Sequence, residues 1–323
     1  MLRREFLAGS GALAAAIVAG RTTAAPVWPS RAVRFVYPYA AGSAGDVGAR
    51  LLSQRLVEAL HQQFVVENHV GANGALAAER VARAEPDGYT FFYATLPQIA
   101  ILPAMNKVPY DPVRDFVPVS VAVNTHFALV VHPSLPVRTV REFVDYVRAR
   151  PGQLAYAQGG TGSTSQLSMA MFLHRAGLRM IDVGYKGNAP AINDVIAGHV
   201  PAMSSLFGDA WQQAKSGAIR MLAVTSEQRL PQAPDVPTLA ESGFPGFQAA
   251  AWHGLLAPAR TPTAIVDRLS AEVVRIVGDK KFRERLLEAG LEPVVNTPGE
   301  FVRMIAADLP LWSDTVRAAG LRS

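Results

Sequence analysis

The sequence predicts an α/β protein of two lobes joined by two chain crossings, and three observations predict it. Strand-like and helix-like runs alternate over most of the chain. Three long uncharged stretches, 89–106, 116–137 and 242–259, are each interrupted by prolines, which suits buried strands and short connections rather than a membrane helix. The C-terminal part, in contrast, is almost wholly helical and has few strands of its own to cover. Its helices are therefore expected to return to the N-terminal sheet, making the first lobe discontinuous in sequence. A length of 323 residues is enough for two such lobes.

Taken in order, 32–37 reads as a strand. A helix follows over 47–60, with apolar residues at Val47, Leu51, Leu52, Leu56 and Leu60. Strands are expected at 64–67, 89–94, 154–157, 180–183 and 219–225, and an apolar run at 200–203 ends in Ser204, Ser205 and Phe207. Helices are expected at 139–150, 165–176, 189–197, 262–277, 280–289 and 298–319, the last kinked at Pro310. The crossings are placed near 123–130 and 248–256, with a cleft between the lobes. The domain division is then 25–126 and 249–323 for one lobe and 127–248 for the other.

Residues 1–24 read as an export signal of twin-arginine type: Arg3-Arg4, an uncharged Ala/Gly-rich run to Gly20, and small residues before a cleavage site placed after Ala24. The mature chain is expected to be periplasmic and soluble. Its charge is mild, 28 basic residues against 25 acidic ones, so no nucleic-acid partner is expected. The absence of cysteine excludes disulfides, thiolate metal sites, a cysteine nucleophile and a lipid anchor. The seven histidines have no metal-ligand spacing, and no nucleophile-elbow motif occurs in the mature chain, so neither a metal nor a hydrolytic triad is expected.

Two segments carry binding chemistry. In Tyr37-Pro-Tyr-Ala-Ala-Gly-Ser-Ala-Gly-Asp46 a strand gives way to a small-residue corner and a helix, exposing backbone amides where the helix macrodipole is positive. Asp46 is read either as that helix's N-cap or as a group competing with an anionic ligand, so the corner's amides are the stronger candidates. The second segment, Leu154 to Gln166, repeats the arrangement and adds the hydroxyls of Thr161, Ser163, Thr164 and Ser165. It is also a defective dinucleotide fingerprint, with Asp182 twenty residues after Gly162. Lys186 could add a positive charge at the rim or be a solvated turn residue.

These segments, with Val66-Glu-Asn68, Glu85-Pro-Asp-Gly-Tyr-Thr90, Val108-Pro-Tyr-Asp-Pro112, Tyr185-Lys-Gly187, Leu222-Ala-Val-Thr-Ser226, Pro234-Asp-Val-Pro-Thr-Leu239 and Gly254-Leu-Leu-Ala-Pro258, resemble the Bug family of extracytoplasmic solute receptors for tripartite tricarboxylate transporters. The resemblance spans the mature chain. It implies a periplasmic-binding-protein-like, type II Venus-flytrap fold that closes on a small mono- or dicarboxylate, with no cofactor. The implied partners are membrane permease subunits or, for orphan members, a sensor, with the receptor acting as a monomer. Carried onto this chain, the implied ligand contacts are Tyr39, Ala40, Ala41, Gly42, Ser43, Asp46 and Thr95 on one side. On the other they are Gly160, Thr161, Gly162, Ser163, Thr164, Ser165, Gln166, Tyr185 and Ser205. The chain departs from the family pattern at Ala40-Ala41, at Gln166 in place of a common His, at Ser205 in place of a frequent acid, and at His253 in place of a usual aromatic. An exported enzyme using a nucleotide cofactor is the alternative reading.

Overall fold

The computed structural model describes residues 28–321, so the export signal expected over 1–24 lies outside the described residues. Strands β1 (Val33–Tyr37), β2 (Phe64–Asn68) and β3 (Thr90–Thr95) form a parallel unit with β1 in the centre. The antiparallel strand β9 (Ala250–Pro258) joins β3 to β4 (Phe116–Val131). Side chains alternate across this sheet. Phe35, Tyr37, Phe91 and Tyr93 enter one core beneath α1 (Ala44–Leu60) and α8 (Thr263–Gly278), while Val36, Phe92 and Ala94 enter another, shared with α2 (Ala75–Ala82) and α10 (Pro298–Ala318). Cover on both faces is why β3 reads as an unbroken apolar run between its terminal threonines.

The second half of β4 belongs to a different neighbourhood. Residues 127–131 pair with β7 (Ala202–Leu206) and β8 (Arg220–Val224), and β7 leads to β5 (Ala155–Gln158) and β6 (Ile181–Gly184). Residues 116–126 pair with β9. One 16-residue strand thus serves both lobes. The return crossing runs from Thr225, whose carbonyl accepts the Ala249 amide, into β9. Helices α4 (Val140–Arg148), α5 (Thr164–Ala176), α6 (Asn188–Ile196) and α7 (Phe207–Lys215) belong to the second lobe.

The C-terminal helices are α8, α9 (Lys280–Glu288) and α10. Helix α8 lies against α1 and β4, and α10 covers β4, a π-helical turn at Pro97–Ile101 and the short helix α3 (Leu102–Met105). They bring the two-residue strand β10 (Glu292–Pro293), which pairs with β4. Strand β4 runs through Pro118, where its register against β9 shifts between Pro118 and Ser120. Helix α10 contains Pro310 and continues to Ala318.

Candidate functional site

At the first corner the chain leaves β1, turns through Gly42 at φ 91°, and enters α1 with Ser43 as N-cap. The Ser43 hydroxyl accepts the Asp46 amide at 3.3 Å and stands 3.2 Å from the Tyr37 hydroxyl. Asp46 is therefore not the cap. It sits in the first turn, 2% exposed, and its carboxylate accepts from the Gly42 amide (3.0 Å), from Arg50 at 2.9 and 3.1 Å, and from Asn68 (2.8 Å). Burial pushes the Asp46 pKa up, but those hydrogen bonds outweigh it and hold the group below the usual carboxylate range. Asn68 also bonds the Tyr39 carbonyl (2.9 Å). Asp46 thus braces the corner from inside and removes only the Gly42 amide from its donors. Ser43 takes the Asp46 amide, leaving those of Ala44 and Gly45 for an outside acceptor.

At the second corner Gly160 (φ 123°) and Gly162 (φ 77°) make the turn, and Ser163 caps α5 by accepting the Gln166 amide at 3.2 Å. The expectation that the glycine amides here face a ligand is corrected. The Gly160 amide donates to Gln158 Oε1, the Gly162 amide to Gln166 Oε1 (2.8 Å), and the Gly159 amide to Ser165 Oγ (3.0 Å). Asp182 directs both glutamines by accepting from Gln158 Nε2 (2.9 Å) and Gln166 Nε2 (2.6 Å), together with the Tyr156 hydroxyl (3.0 Å). That carboxylate is spent on the corner and is not left free for a ribose. What remains at this corner is the exposed Thr161 and the first amides of α5, those of Thr164 and Ser165.

Hydrogen bonds connect the two corners. Gln98, fully buried, donates from Nε2 to the Tyr39 hydroxyl (3.0 Å) and to the Asn73 carbonyl (3.0 Å), while its Oε1 accepts from the Thr95 amide and hydroxyl. Asn73 in turn donates from Nδ2 to the Thr161 carbonyl at 3.3 Å. Burial raises the Tyr39 pKa despite these bonds, so its hydroxyl stays neutral. The lobes also touch where Gly162 meets α3: a Cβ there would stand 2.8 Å from Met105 Sδ. A third contact joins the start of α7 to lobe one, where a Cβ on Gly208 would stand 2.8 Å from the Ala289 carbonyl and 3.4 Å from the Ala44 Cβ.

Not every expected residue faces this junction. The Tyr185 hydroxyl donates to Asp194 on α6, and Ser205 is fully enclosed, its hydroxyl 3.3 Å from the Leu206 carbonyl. Lys186 is exposed, and Ala40 and Ala41 are exposed beside the first corner. Asn68, Asn73, Gln98 and Gln158 were not anticipated as site residues, and Asp182 was singled out only as the acid of a defective dinucleotide fingerprint. The Asn73-Gly74 turn pair and the lone Gln98 in an apolar run were the available signals. Beneath the first corner, His253 is 5% exposed with no partner for Nδ1 among the described residues, and burial holds its pKa down at about 4. In the first turn of α7, burial pushes Asp209 up to about 6.

Residues 48–321 match the family model described as "Tripartite tricarboxylate transporter family receptor". The chain is 32% identical over 305 residues to protein BugT of Bordetella pertussis, covering 93% of this chain and 94% of BugT. Among solved structures it is similar to R. palustris Rpa4515 with adipate (TM-score 0.86, 37% identity, 91% of this chain and 98% of that one). It is also similar to MatC (Rpa3494) from Rhodopseudomonas palustris with bound malate (TM-score 0.82, 32% identity, 90% and 100%).

Proposed function

Since the chain belongs to the tripartite tricarboxylate transporter receptor family, we propose that it captures a small mono- or dicarboxylate between its lobes and presents it, unaltered, to the transporter's membrane subunits. The observation that carries this reading is the bonded path from Tyr39 through Gln98 and Asn73 to Thr161, which brings two strand-to-helix corners to one junction. The N-termini of α1 and α5, each with amides unused by its cap, offer hydrogen bonds and positive dipole ends to one anionic head group. No cationic side chain is needed, and Arg50 is already engaged by Asp46 and Asn68.

In this reading, Ser43, Thr161, Ser163, Thr164 and Ser165 supply contacts to the ligand, while Asp46, Thr95, Gln166 and Tyr185 shape the corners. The lobes, 25–126 with 249–323 and 127–248, rotate about the two crossings, and ligand touching both corners selects the closed state. The adipate and malate of the two structural relatives support the carboxylate assignment. Export of a monomer to the periplasm by residues 1–24 completes the proposal. A thermal-shift screen over organic acids, followed by calorimetry, tests it: mono- or dicarboxylates should raise the melting temperature. If none does, or if the purified protein carries flavin or nicotinamide absorbance, the reading is wrong.

A further inference from the structure

A cavity of about 670 Å3 lies between α5, α10 and the sheet, and none of the corner residues lines it. Asn124 of β4 and Trp252 of β9, which are paired in register, form its sheet wall. On α10 the lining residues Met304, Asp308, Leu311 and Trp312 recur every three or four positions, so they share one face of the helix. Met171, His174 and Arg175 line it in the same way from α5. At 1.5 Å per residue His174 stands roughly 16 Å along α5 from Ser163. This place is therefore separate from the corners. Its size falls within the range of about 300–1,000 Å3 usual for small-molecule sites, and its composition, mostly apolar with a few polar groups, is theirs as well.

The charges around the cavity decide what would fill it. Asp308 is half-buried, and its Oδ2 accepts from Trp252 Nε1 at 2.8 Å. Its other oxygen has no hydrogen bond or ion pair among the described residues and is not one of the fully enclosed unpaired polar atoms, so it is accessible where Asp308 lines the cavity. Burial pushes the Asp308 pKa up to about 6, with the Trp252 bond acting the other way. At neutral pH the group is thus a charge that its surroundings only partly compensate. The basic lining residues, His174 and Arg175, are both exposed. Arg175 donates to the Pro245 carbonyl at 3.1 Å, lies 5.8 Å from the Phe247 ring centroid and makes no ion pair with Asp308. Its charge stands at the wet rim, where water and salt screen it, whereas that of Asp308 lies deeper among apolar groups. We propose that this cavity is a second ligand site, for an apolar amine whose hydrocarbon part lies against Met171, Met304, Leu311 and the tryptophans and whose ammonium donates to Asp308. The flexible methionines let the walls adapt to the shape of that hydrocarbon part. The site does not depend on the carboxylate reading above.

The test titrates the full chain at pH 8 with phenethylamine and, as its uncharged counterpart, phenethyl alcohol, read by calorimetry and by the tryptophan emission to which Trp252 and Trp312 contribute. The amine should bind saturably and about tenfold or more tightly than the alcohol, as expected for a hydrogen bond to a charged acceptor. In Asp308→Asn, which keeps the shape and an acceptor but removes the charge, that preference should shrink to within about twofold. The preference is a ratio measured in one protein, so partial misfolding of the variant does not imitate it. Absence of saturable amine binding, equal binding of amine and alcohol, or a preference that survives in Asp308→Asn each overturns the site. None of these outcomes touches the carboxylate reading, which the organic-acid screen tests on its own.

Discussion

The side-chain amide of Asn73 donates to the main-chain carbonyl of Thr161 at 3.3 Å, joining one lobe to the other across 88 residues of chain. Asn73 reaches that position from a left-handed conformation, φ 50°, between Gly71 and Gly74. Asparagine tolerates this geometry better than most side chains because its short polar group bonds locally. The same residue accepts from Gln98, so the clasp is tied to the floor of lobe one.

Asn73→Gly keeps the backbone conformation and removes only the clasp. Its loss should favour the open state and weaken ligand binding by about two- to tenfold, in keeping with about 0.5–1.5 kcal/mol for one net hydrogen bond. Calorimetry reads the affinity, and X-ray scattering should show a larger radius of gyration for the ligand-free variant.

Thr164→Pro tests the second corner without deforming it. Thr164 is the first residue of α5, where proline fits, and Ser163 before it is extended at φ −72°, ψ 152°, as a residue preceding proline prefers. The substitution deletes one amide that the cap leaves free. Affinity for the best acid should fall roughly tenfold or more while the melting temperature of the unliganded protein stays near that of the native chain. Unchanged affinity would remove this amide from the site.

Gly45→Ala probes the floor of the first corner. A Cβ there would come within 3.0 Å of His253 and the Tyr37 hydroxyl, both buried in the same layer. Overpacking of this kind costs about 1–3 kcal/mol, and urea denaturation should show it. Pairing the change with His253→Ala should recover part of the loss, as expected for residues in contact.

His253 also predicts an acid-sensitive stability. Its pKa is about 4 in the folded chain because burial disfavours the imidazolium, against 6.5 for the free side chain. Between those values the unfolded chain binds the proton and the native chain does not, so stability is full above pH 6.5 and falls as pH drops towards 4. The loss amounts to about 2 kcal/mol by pH 5 and about 3 kcal/mol at the lower limit. Denaturation midpoints at pH 7 and pH 5 should converge in His253→Phe. An equal acid loss in the variant would mean that other groups carry it.

Much of the fold was legible in the chain. Strand β1 begins one residue after the expected start, and α5 begins at Thr164 where 165 was expected, because apolar periodicity and capping residues act over a few neighbours. The two corners were legible too, since a strand that ends in glycines and hydroxyl residues before a helix has few other conformations. The roles within them were not. Asp46 was read either as the cap or as a group competing with an anionic ligand, yet Ser43 three residues earlier takes the cap position and Asp46 binds Asn68. Gly160 and Gly162 were read as donors to a ligand, yet Gln158 and Gln166 occupy their amides under the direction of Asp182.

From its sequence alone this chain determined most of its alternating strands and helices, though not α2 or α7, and the two strand-to-helix corners rich in glycine and hydroxyl residues. All of these follow from period, capping and turn chemistry along the chain. Tertiary structure decided which donors and acceptors are spent and which remain. Asn68 meets Asp46 across 22 residues, and Thr161 meets Asn73 across 88. A hydrogen bond depends on where two groups lie in space, and partners so far apart in sequence leave no local pattern to read.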